Sequence, residues 1–406
     1  MKVTITPRKL SGTIQVPPSK SQAHRLIIGA ALANGTSHIH NLAHSQDICA
    51  TLECMTQLGA IESQGGAVVT GIGRSRPSTG IPPVLDCGES GSTIRFLMPV
   101  ALAVASGGVF RGRGRLMERP YKPYEDIFTR QNITFTRQPG QITLSGTLKP
   151  GRFELPGDVS SQFITGLLYA LPLLEGDSEL VLTTPLESKG YVELTLEALA
   201  QFGIVAHPTE TGWKVPGSQV GHPADVTVEG DYSQASNYLV AAGMGNPLTV
   251  TGLSTSSAQG DRIICDYARQ LDGTGTVILS VRQCPDLVPA LAVRAALRAG
   301  ETTHIVDAAR LRLKESDRLE AVTAELNKLG AQVEQTPDAL IIHGVSRLHG
   351  GTCDSHGDHR IAMMLAVAAT CADGVVEVTG AESVAKSYPN FWEDYEQLGG
   401  TIARTE

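Results

Sequence analysis

The chain has 406 residues, of which 41% are hydrophobic and 18% charged, an ordinary composition for a globular protein and enough for two domains. Its formal net charge of -8 excludes a nucleic-acid binder that depends on overall basicity. No apolar run approaches the roughly 20 residues that a membrane span needs. The strand-like N-terminus does not resemble a signal peptide, and seven irregularly spaced cysteines predict reduced thiols in a cytoplasmic protein.

The first informative stretch runs from Val16 to Ala33. Two prolines and Ser19 end an extended segment, and small apolar residues then predict a helix whose first turns carry Lys20, Ser21 and Arg25. A helix start presents unpaired backbone N–H groups, which suit an anion. Cations stabilise the opposite end of a helix, so here they indicate an anionic ligand. The alternative is two surface cations that lie near a helix start by chance.

The same pattern of a polar loop followed by an almost wholly apolar helix recurs along the chain. The six predicted loops are marked by Ser19, Ser90, Ser160, Ser233, Asp286 and Asp358. Helices that are apolar on all sides belong in the interior. A second, amphipathic helix recurs and ends at a glycine in several copies, as at Gly59, Gly203 and Gly330. The sequence therefore predicts one supersecondary unit used six times.

The predicted fold class is α/β, with a helix at the centre of each repeat and strands around it. Proline-containing segments at Val16–Pro18 and Val215–Pro223 are the expected crossings between two domains. Residues 1–18 and 222–406 are expected to form one domain of three repeats. Residues 19–221 are expected to form the other, also with three repeats.

The most informative short motif in the second half is the run from Lys314 to Arg318, which also contains Glu315. If the run is helical, Lys314 and Arg318 lie one turn apart on the same face. Taken alone, the run would also fit a solvated, charged helix start in which the acidic residues favour the helix dipole.

Other cations lie in or beside the repeated loops. The candidate cations are Lys20, Arg25, Arg95, Arg119, Lys314, Arg318, Arg360 and Lys386. Arginine forks match carboxylate and phosphate groups, so this set predicts a substrate pair that carries several negative charges. Ser160, Ser161 and Gln162 add neutral donors at a helix start, and Gly91 permits a close approach of the backbone to a ligand.

Metal and nucleotide cofactors are not expected. The segment Cys353–His359 contains two histidines and two aspartates, but it lacks a second ligand pair at a partner spacing. The chain also has no phosphate-binding P-loop and no dinucleotide-binding glycine fingerprint.

These motifs, in this order, resemble the 5-enolpyruvylshikimate-3-phosphate synthase family over essentially the whole chain. The motifs that carry the resemblance are Ser19-Lys20-Ser21 with Arg25, Gly91-Ser92 with Arg95, Glu118-Arg119-Pro120, Ser160-Ser161-Gln162, Ser188 with Tyr191, Pro285-Asp286, Lys314 to Arg318, Asp358-His359-Arg360 and Lys386. The resemblance implies a two-domain enolpyruvyl transferase fold, an inside-out α/β barrel with three repeats in each domain, buried helices and outer sheets.

The resemblance also implies an activity. The enolpyruvyl group of phosphoenolpyruvate would pass to the 5-hydroxyl of shikimate 3-phosphate through a tetrahedral addition–elimination intermediate, and phosphate would be released. This is a step of the shikimate pathway through chorismate to the aromatic amino acids. The resemblance implies no cofactor, metal, nucleic acid or membrane partner, and the expected protein is a cytoplasmic monomer.

The resemblance assigns roles residue by residue. Shikimate 3-phosphate is expected at Lys20, Ser21, Arg25, Ser160, Ser161, Gln162, Ser188, Asp286 and Lys314. Phosphoenolpyruvate is expected at Lys20, Gly91, Arg119, Gln162, Arg318, Arg360 and Lys386. Asp286 follows a proline at a buried helix start and is the expected base for the attacking hydroxyl. Glu315 or Lys20 is expected to deliver the proton to the methylene carbon.

Three positions depart from the pattern of some family members: Glu89 replaces Asn, Phe96 replaces Pro, and Arg310 replaces Asn. Glu89 and Phe96 touch the loop expected to bind phosphoenolpyruvate, so the pattern leaves sensitivity to the analogue glyphosate open. Arg310 bears on one expected contact to shikimate 3-phosphate.

Two alternative functions remain at this point. A UDP-N-acetylglucosamine enolpyruvyl transferase of the same fold carries a reactive cysteine before its own Arg-Pro, but the segment Arg111–Met117 contains none. A non-catalytic phospho-sugar-binding protein would be favoured if Asp286 or Glu315 were absent, and both are present.

Overall fold

The computed structural model describes residues 1–75 and 81–405. The α-helices of these residues are α1 (Lys20–Leu32), α2 (Gln46–Gln57), α3 (Gly91–Ala105), α4 (Lys122–Arg130), α5 (Ser161–Ala170), α6 (Lys189–Gln201), α7 (Tyr232–Gly243), α8 (Ile264–Leu271), α9 (Val288–Ala296), α10 (Arg318–Lys328), α11 (His359–Ala369) and α12 (Phe391–Gln397). Short 3-10 helices cover Gln64–Gly66, Gly114–Glu118, Leu171–Leu173, Gly260–Ile263, Pro285–Leu287, Ala309–Leu313 and Ala381–Lys386.

The strands are short and lie between the helices in the chain. They are β1 (Lys2–Thr6), β2 (Gly12–Gln15), β3 (Thr36–His40), β4 (Ile61–Ser63), β5 (Val68–Thr70), β6 (Val84–Asp86), β7 (Gly107–Arg111), β8 (Thr134–Gln138), β9 (Gln141–Ser145), β10 (Arg152–Leu155), β11 (Ser178–Leu182), β12 (His207–Pro208), β13 (Gly212–Val215), β14 (Asp225–Thr227), β15 (Leu248–Thr251), β16 (Val277–Ser280), β17 (Thr302–Val306), β18 (Gln332–Gln335), β19 (Leu340–His343), β20 (Gly351–Asp354), β21 (Val376–Thr379) and β22 (Thr401–Thr405).

The chain divides into two compact units. The first unit is Pro18–Glu229, and the second unit combines Met1–Pro17 with Gly230–Glu406. The sequence-based boundary lay at residue 221. In the structure β14 pairs in parallel with β3, with Val226 opposite Ile39, so the segment up to residue 229 lies with the first unit.

The first unit repeats one arrangement three times. Its sheets have the strand orders β14-β3-β5-β4, β6-β7-β9-β8 and β10-β11-β13-β12. In each sheet the first pair is parallel and the other two pairs are antiparallel. In the pairs β6-β7 and β10-β11 a buried helix, α3 or α5, joins the two strands, because a parallel connection requires a crossover. In the third pair, β14 comes from the end of the unit and lies beside β3, near its start.

The second unit has the same arrangement in its two four-stranded sheets, and two of its strands, β1 and β2, come from the start of the chain. Its four-stranded sheets are β16-β17-β19-β18 and β20-β21-β1-β22, and β15 pairs in parallel with β2 in a two-stranded sheet. The N-terminal strand β1 is antiparallel to both β21 and β22. Residues 2–6 therefore complete the last repeat of the chain.

The six predicted interior helices are confirmed. Every residue of α11 is buried, and so is every residue of α1 from Ala23 to Leu32. Side-chain caps start most of these helices: for example, Ser90 accepts the N–H of Thr93 at α3. In α7 the cap is Asp231 rather than the marker Ser233.

Each unit has its own hydrophobic core, built from the interior helices and the inward faces of its sheets. All seven cysteines lie in the described part of the chain and are thiols. Among the described residues, no helix combines the length and apolar character needed to cross a bilayer.

Helices α3 and α5 approach each other closely at Gly166. The Tyr124 hydroxyl lies at this contact and donates to the carbonyl oxygens of Arg95 (2.7 Å) and Phe163 (3.0 Å). A Cβ added to Gly166 would overlap both the Tyr124 hydroxyl and the Arg95 carbonyl oxygen. Only glycine permits this helix spacing.

We expect Gly166→Ala to reduce the free energy of unfolding by about 1–3 kcal/mol, the usual cost of overpacking a core. This cost exceeds the gain in helix propensity, about 1 kcal/mol, because one of the overlapped atoms belongs to backbone. Urea unfolding would measure it. Gly221→Ala is the control, since its added Cβ would meet nothing nearer than 3.4 Å. Equal stability of the two variants would contradict the packing argument.

Candidate functional site

Lys20 is the first residue of α1 and lies against a carboxylate. Ser19 caps the helix by accepting the N–H of Gln22 at 3.3 Å. The Lys20 ammonium lies 2.9 Å from Oδ2 of Asp47, in α2, and their side chains are 16% and 6% exposed. Ser21 follows at the same helix start and is partly exposed. The structure thus places both expected residues at this helix start, and it adds Asp47, which the sequence analysis did not select.

Gly91, Arg119 and Gln162 come together at the starts of α3 and α5. A Cβ on Gly91 would lie 2.6 Å from Nη1 of Arg119 and 3.6 Å from Oε1 of Gln162. The Gln162 side chain accepts from Nη1 of Arg95 at 2.7 Å and donates to the Ser92 hydroxyl at 3.1 Å. The absence of a side chain at Gly91 therefore makes room for the Arg119 guanidinium.

The other serines expected in this unit occupy two further helix starts. Ser160 caps α5 by accepting the N–H of Gln162 at 3.3 Å, and Ser161 is its first helical residue. Ser188 precedes α6 in the left-handed conformation, with φ of 56°, and it is 3% exposed. A non-glycine residue at positive φ is strained and is common at functional sites.

Arg25 is buried between three elements rather than displayed at the helix start. Its guanidinium donates to the Thr195 hydroxyl (2.8 Å) and the Tyr191 carbonyl oxygen (2.9 Å), and it lies 5.1 Å from the centre of the Phe96 ring. Burial lowers the pKa of Arg25 to about 10. These contacts hold the start of α6, where Ser188 and Tyr191 lie, against α1.

In the second unit, Asp286 lies at the centre of a group of cations. It sits in the 3-10 helix that precedes α9. Its Oδ1 lies 2.8 Å from Nη1 of Arg318 and 3.3 Å from Nζ of Lys314, and its Oδ2 lies 3.0 Å from Nη2 of Arg360. Burial alone raises the pKa of Asp286, but Arg360, Lys314 and Arg318 together lower it well below its ordinary value. Asp286 is therefore an ionised carboxylate held by three cations.

The run that contains Lys314 and Arg318 is not one helix, so the predicted shared helical face is wrong. Asp317 caps α10 by accepting the N–H of Glu320 at 3.1 Å, and Arg318 is the first helical residue. Lys314 is extended, with φ of −87° and ψ of −158°. The two cations meet through Asp286 and not through helix geometry.

Arg318 is 1% exposed and joins three carboxylates. Besides Asp286, it donates from Nε to Oδ2 of Asp358 (2.7 Å) and from Nη2 to Oε2 of Glu315 (2.7 Å). Burial lowers the pKa of Arg318, but Asp358, Glu315 and Asp286 outweigh burial and raise it. Lys386 also approaches Glu315, with Nζ 3.9 Å from Oε1. Because Arg318 is buried, the alternative that this run is a solvated, charged helix start is excluded for this residue.

The remaining positions that the sequence singled out lie in ordinary structural contacts. Arg310 donates to the Arg282 carbonyl oxygen at 2.5 Å, and Glu89 is exposed. Within the cysteine- and histidine-containing segment, His356 contacts Glu325 at 2.7 Å, while Asp358 caps α11.

The family profile described as EPSP synthase (3-phosphoshikimate 1-carboxyvinyltransferase) matches residues 5–395. A 3-phosphoshikimate 1-carboxyvinyltransferase of Clostridium kluyveri is 46% identical, covering 98% of this chain and 98% of its own. Another, from Clostridioides difficile, is 43% identical over 98% and 97% of the two chains. The chain belongs to the EPSP synthase family.

The solved structure of an EPSP synthase from Acinetobacter baumannii has the same fold. It aligns with a TM-score of 0.80 and 24% identity, over 99% of this chain and 100% of its own. The predicted two-domain enolpyruvyl transferase fold and the predicted family are therefore confirmed. The relatives are transferases, which assigns this chain to the same class of enzyme.

Two residues of this EPSP synthase family member, Asp358 and Ser316, hold the Arg318 side chain and were not predicted as site residues from the sequence. Asp358 is fully buried and accepts from the Ser316 hydroxyl at 3.0 Å as well as from Arg318. Its position before a buried helix indicated a cap, which it is, but nothing in the pattern indicated the partner on α10. Ser316 lay between two acidic residues, a context typical of a solvated loop.

We expect Asp358→Asn to reduce the free energy of unfolding by about 3–5 kcal/mol, because it leaves a buried Arg318 with one carboxylate fewer. Chemical denaturation would measure the loss. Asp373→Asn is the control, since Asp373 is 42% exposed and pairs only at the surface, where ion pairs contribute about 0–1 kcal/mol. A loss below 1 kcal/mol for Asp358→Asn would show that Arg318 does not depend on it.

Proposed function

We propose that this chain transfers the enolpyruvyl group of phosphoenolpyruvate to the 5-hydroxyl of shikimate 3-phosphate and releases phosphate. Membership of the EPSP synthase family supports the proposal. The observation that carries it is the ionised Asp286 carboxylate, in contact with Lys314, Arg318 and Arg360. These cations would bind the anionic substrates, and the substrate charges would then offset the cations that lower the pKa of Asp286. With the substrates bound, the Asp286 carboxylate could accept a proton.

The proposed addition step forms one bond between the 5-hydroxyl oxygen and C2 of phosphoenolpyruvate. Asp286 takes the hydroxyl proton, and either Lys20 or Glu315 delivers a proton to C3, which becomes a methyl group. Lys20 carries protons on its ammonium. Glu315 could deliver a proton only if it were protonated first. In the structure its carboxylate accepts a hydrogen bond from Arg318, which favours the ionised form.

The proposed elimination step reverses part of the addition. A proton leaves C3, the C2–O bond to phosphate breaks with its electron pair on phosphate, and the enol ether remains on shikimate 3-phosphate. As a carboxylate, Glu315 suits removal of the C3 proton. Arginines near the phosphate oxygens stabilise the negative charge that develops on the leaving group.

The proposed binding roles keep the assignments implied by the sequence. Phosphoenolpyruvate is assigned to Lys20, Gly91, Arg119, Gln162, Arg318, Arg360 and Lys386. Shikimate 3-phosphate is assigned to Lys20, Ser21, Arg25, Ser160, Ser161, Gln162, Ser188, Asp286 and Lys314. The contact of Gly91, Arg119 and Gln162 supports the first set. For Arg25, burial supports a role in holding Tyr191 and Thr195 at that site. We further propose that the enzyme acts in the cytoplasm as a monomer.

Phosphate release with two acceptors tests the proposal. The purified chain is given phosphoenolpyruvate with shikimate 3-phosphate, or with UDP-N-acetylglucosamine, and the phosphate formed is measured. Release with shikimate 3-phosphate alone is the expected result, and mass spectrometry should find the enol ether. Release with UDP-N-acetylglucosamine alone would replace the proposal with the other transferase. No release, together with binding of shikimate 3-phosphate in calorimetry, would indicate a binding protein.

We expect Arg119→Lys to raise the KM for phosphoenolpyruvate about tenfold or more and to change the KM for shikimate 3-phosphate little. Lysine keeps the charge but cannot reproduce the two-nitrogen fork that binds carboxylate or phosphate. Steady-state kinetics with each substrate varied in turn would measure both constants. Arg115→Lys, at an exposed arginine in the preceding 3-10 helix, is the control. Equal increases in both KM values would argue against the assignment.

We expect Asp286→Asn to lower turnover by roughly 10²–10⁴, the range for loss of one general acid–base group, while both substrates still bind. Rapid-quench kinetics would measure turnover, and calorimetry would measure binding separately. Asp338→Asn, at an exposed aspartate of the same unit, is the control. Near-normal turnover of Asp286→Asn would exclude Asp286 as the base and favour a substrate phosphate oxygen.

A further inference from the structure

Asp261 is a buried carboxylate near Asp286 and Arg360, and it has no role in the proposed reaction steps. It lies in the 3-10 helix Gly260–Ile263 and is 3% exposed. No residue of Gln259-Gly260-Asp261 was predicted as a site residue from the sequence.

Gln259 fixes the position of Asp261 by binding the start of α7. Its Oε1 accepts the N–H of Tyr232 at 3.0 Å, and its Nε2 donates to the carbonyl oxygen of Gly230 at 2.8 Å. The two bonds span the cap of α7. They bring Asp261 next to Ser233, in the first turn of that helix.

Ser233 connects Asp261 to Arg360, which in turn contacts Asp286. Its hydroxyl donates to Oδ2 of Asp261, so an oxygen lone pair is left for Nη2 of Arg360, at 3.3 Å. The same Arg360 nitrogen lies 3.0 Å from Oδ2 of Asp286, and Nη1 donates to the Asp286 carbonyl oxygen at 3.3 Å. Asp261 thus orients the Ser233 hydroxyl, and the oriented hydroxyl oxygen accepts from the Arg360 guanidinium.

The location of this carboxylate is unfavourable for the fold. Burial, followed by the nearby charge of Asp286, raises the pKa of Asp261 to about 6, although Arg360 and the Ser233 hydroxyl lower it in part. A raised pKa means that the ionised form destabilises the folded state above pH 6, and that this cost disappears as the pH falls. Buried groups that reduce stability are typical of functional sites.

We propose that Asp261 is a positioning residue that acts through Ser233 to hold the Arg360 guanidinium in the orientation that binds phosphoenolpyruvate. The inference rests on the proposed function for its substrate. Its contacts are independent of that function, because they lie within the second unit and involve only side-chain and backbone groups of this chain.

Kinetics of Asp261→Asn test the proposal. We expect the KM for phosphoenolpyruvate to rise roughly tenfold, the size expected for loss of one hydrogen bond linked to a charged group, with the KM for shikimate 3-phosphate nearly unchanged. Ser233→Ala should have a similar effect. The double variant should be no worse than the single ones, because the two residues act in one chain. Asp266→Asn, at an aspartate 59% exposed in α8, is the control.

Thermal unfolding separates positioning from a merely structural role. The groups that face the Asp261 carboxyl are Arg360, Asp286, Asp231, Cys284 and the Ser233 hydroxyl. Because the ionised form is unfavourable, Asp261→Asn should keep or raise Tm at pH 8, and the difference from wild type should shrink towards pH 5. A lower Tm at pH 8 together with equal increases in both KM values would overturn the proposal, as would unchanged kinetics.

A spectroscopic measurement does not depend on turnover. The side-chain ¹⁵N–¹H resonances of Arg360, assigned by comparison with Arg360→Lys, should shift or broaden in Asp261→Asn and not in Asp266→Asn. If wild-type protein fails to turn over both substrates, the proposed function is wrong, and this spectrum still decides whether Asp261 positions Arg360. An unchanged Arg360 signal would overturn the inference whatever the activity.

Discussion

Carboxylates balance the charge of the buried Arg318 guanidinium, and the structure of the second unit around Arg318 depends on this interaction. It is 1% exposed and is bound by Asp286, Glu315 and Asp358, which come from three different loops. An unpaired buried charge would cost several kcal/mol, so these loops can take only a conformation in which the charges meet. Pairing of the Arg318 guanidinium with these three carboxylates thus determines where the segments before α9, α10 and α11 lie.

The repeated architecture makes this meeting possible. Each repeat buries an apolar helix and leaves its polar start for other groups, since the unpaired N–H groups there need partners. The three buried helices of each unit therefore supply three polar loops, whose N–H groups are not paired within the sheets. In the first unit the same arrangement brings Gly91 of α3 to Gln162 of α5. Small residues, Gly91 and Gly166, allow the approach.

Close packing and reactivity therefore come from the same elements. The helices that form the cores are those whose first residues are proposed to bind substrate, so a change of helix spacing would move the binding groups. Lys20 shows the connection, because its partner Asp47 lies in α2, and backbone and hydroxyl bonds through Thr51 and Thr93 join α2 to the start of α3. A fold built in this way ties stability to the geometry of its site.

The sequence by itself determined the six interior helices, the α/β class and the family, because apolar periodicity and loop motifs depend on neighbouring residues in the chain. It could not place residues whose partners are distant. The helical face proposed for Lys314 and Arg318 was wrong because the Asp317 cap starts α10 later, and the pairing of β14 with β3 extends the first unit to residue 229. Asp358, Ser233 and Asp261 gained their contacts only in the tertiary structure, since a carboxylate selects its partners by distance and burial.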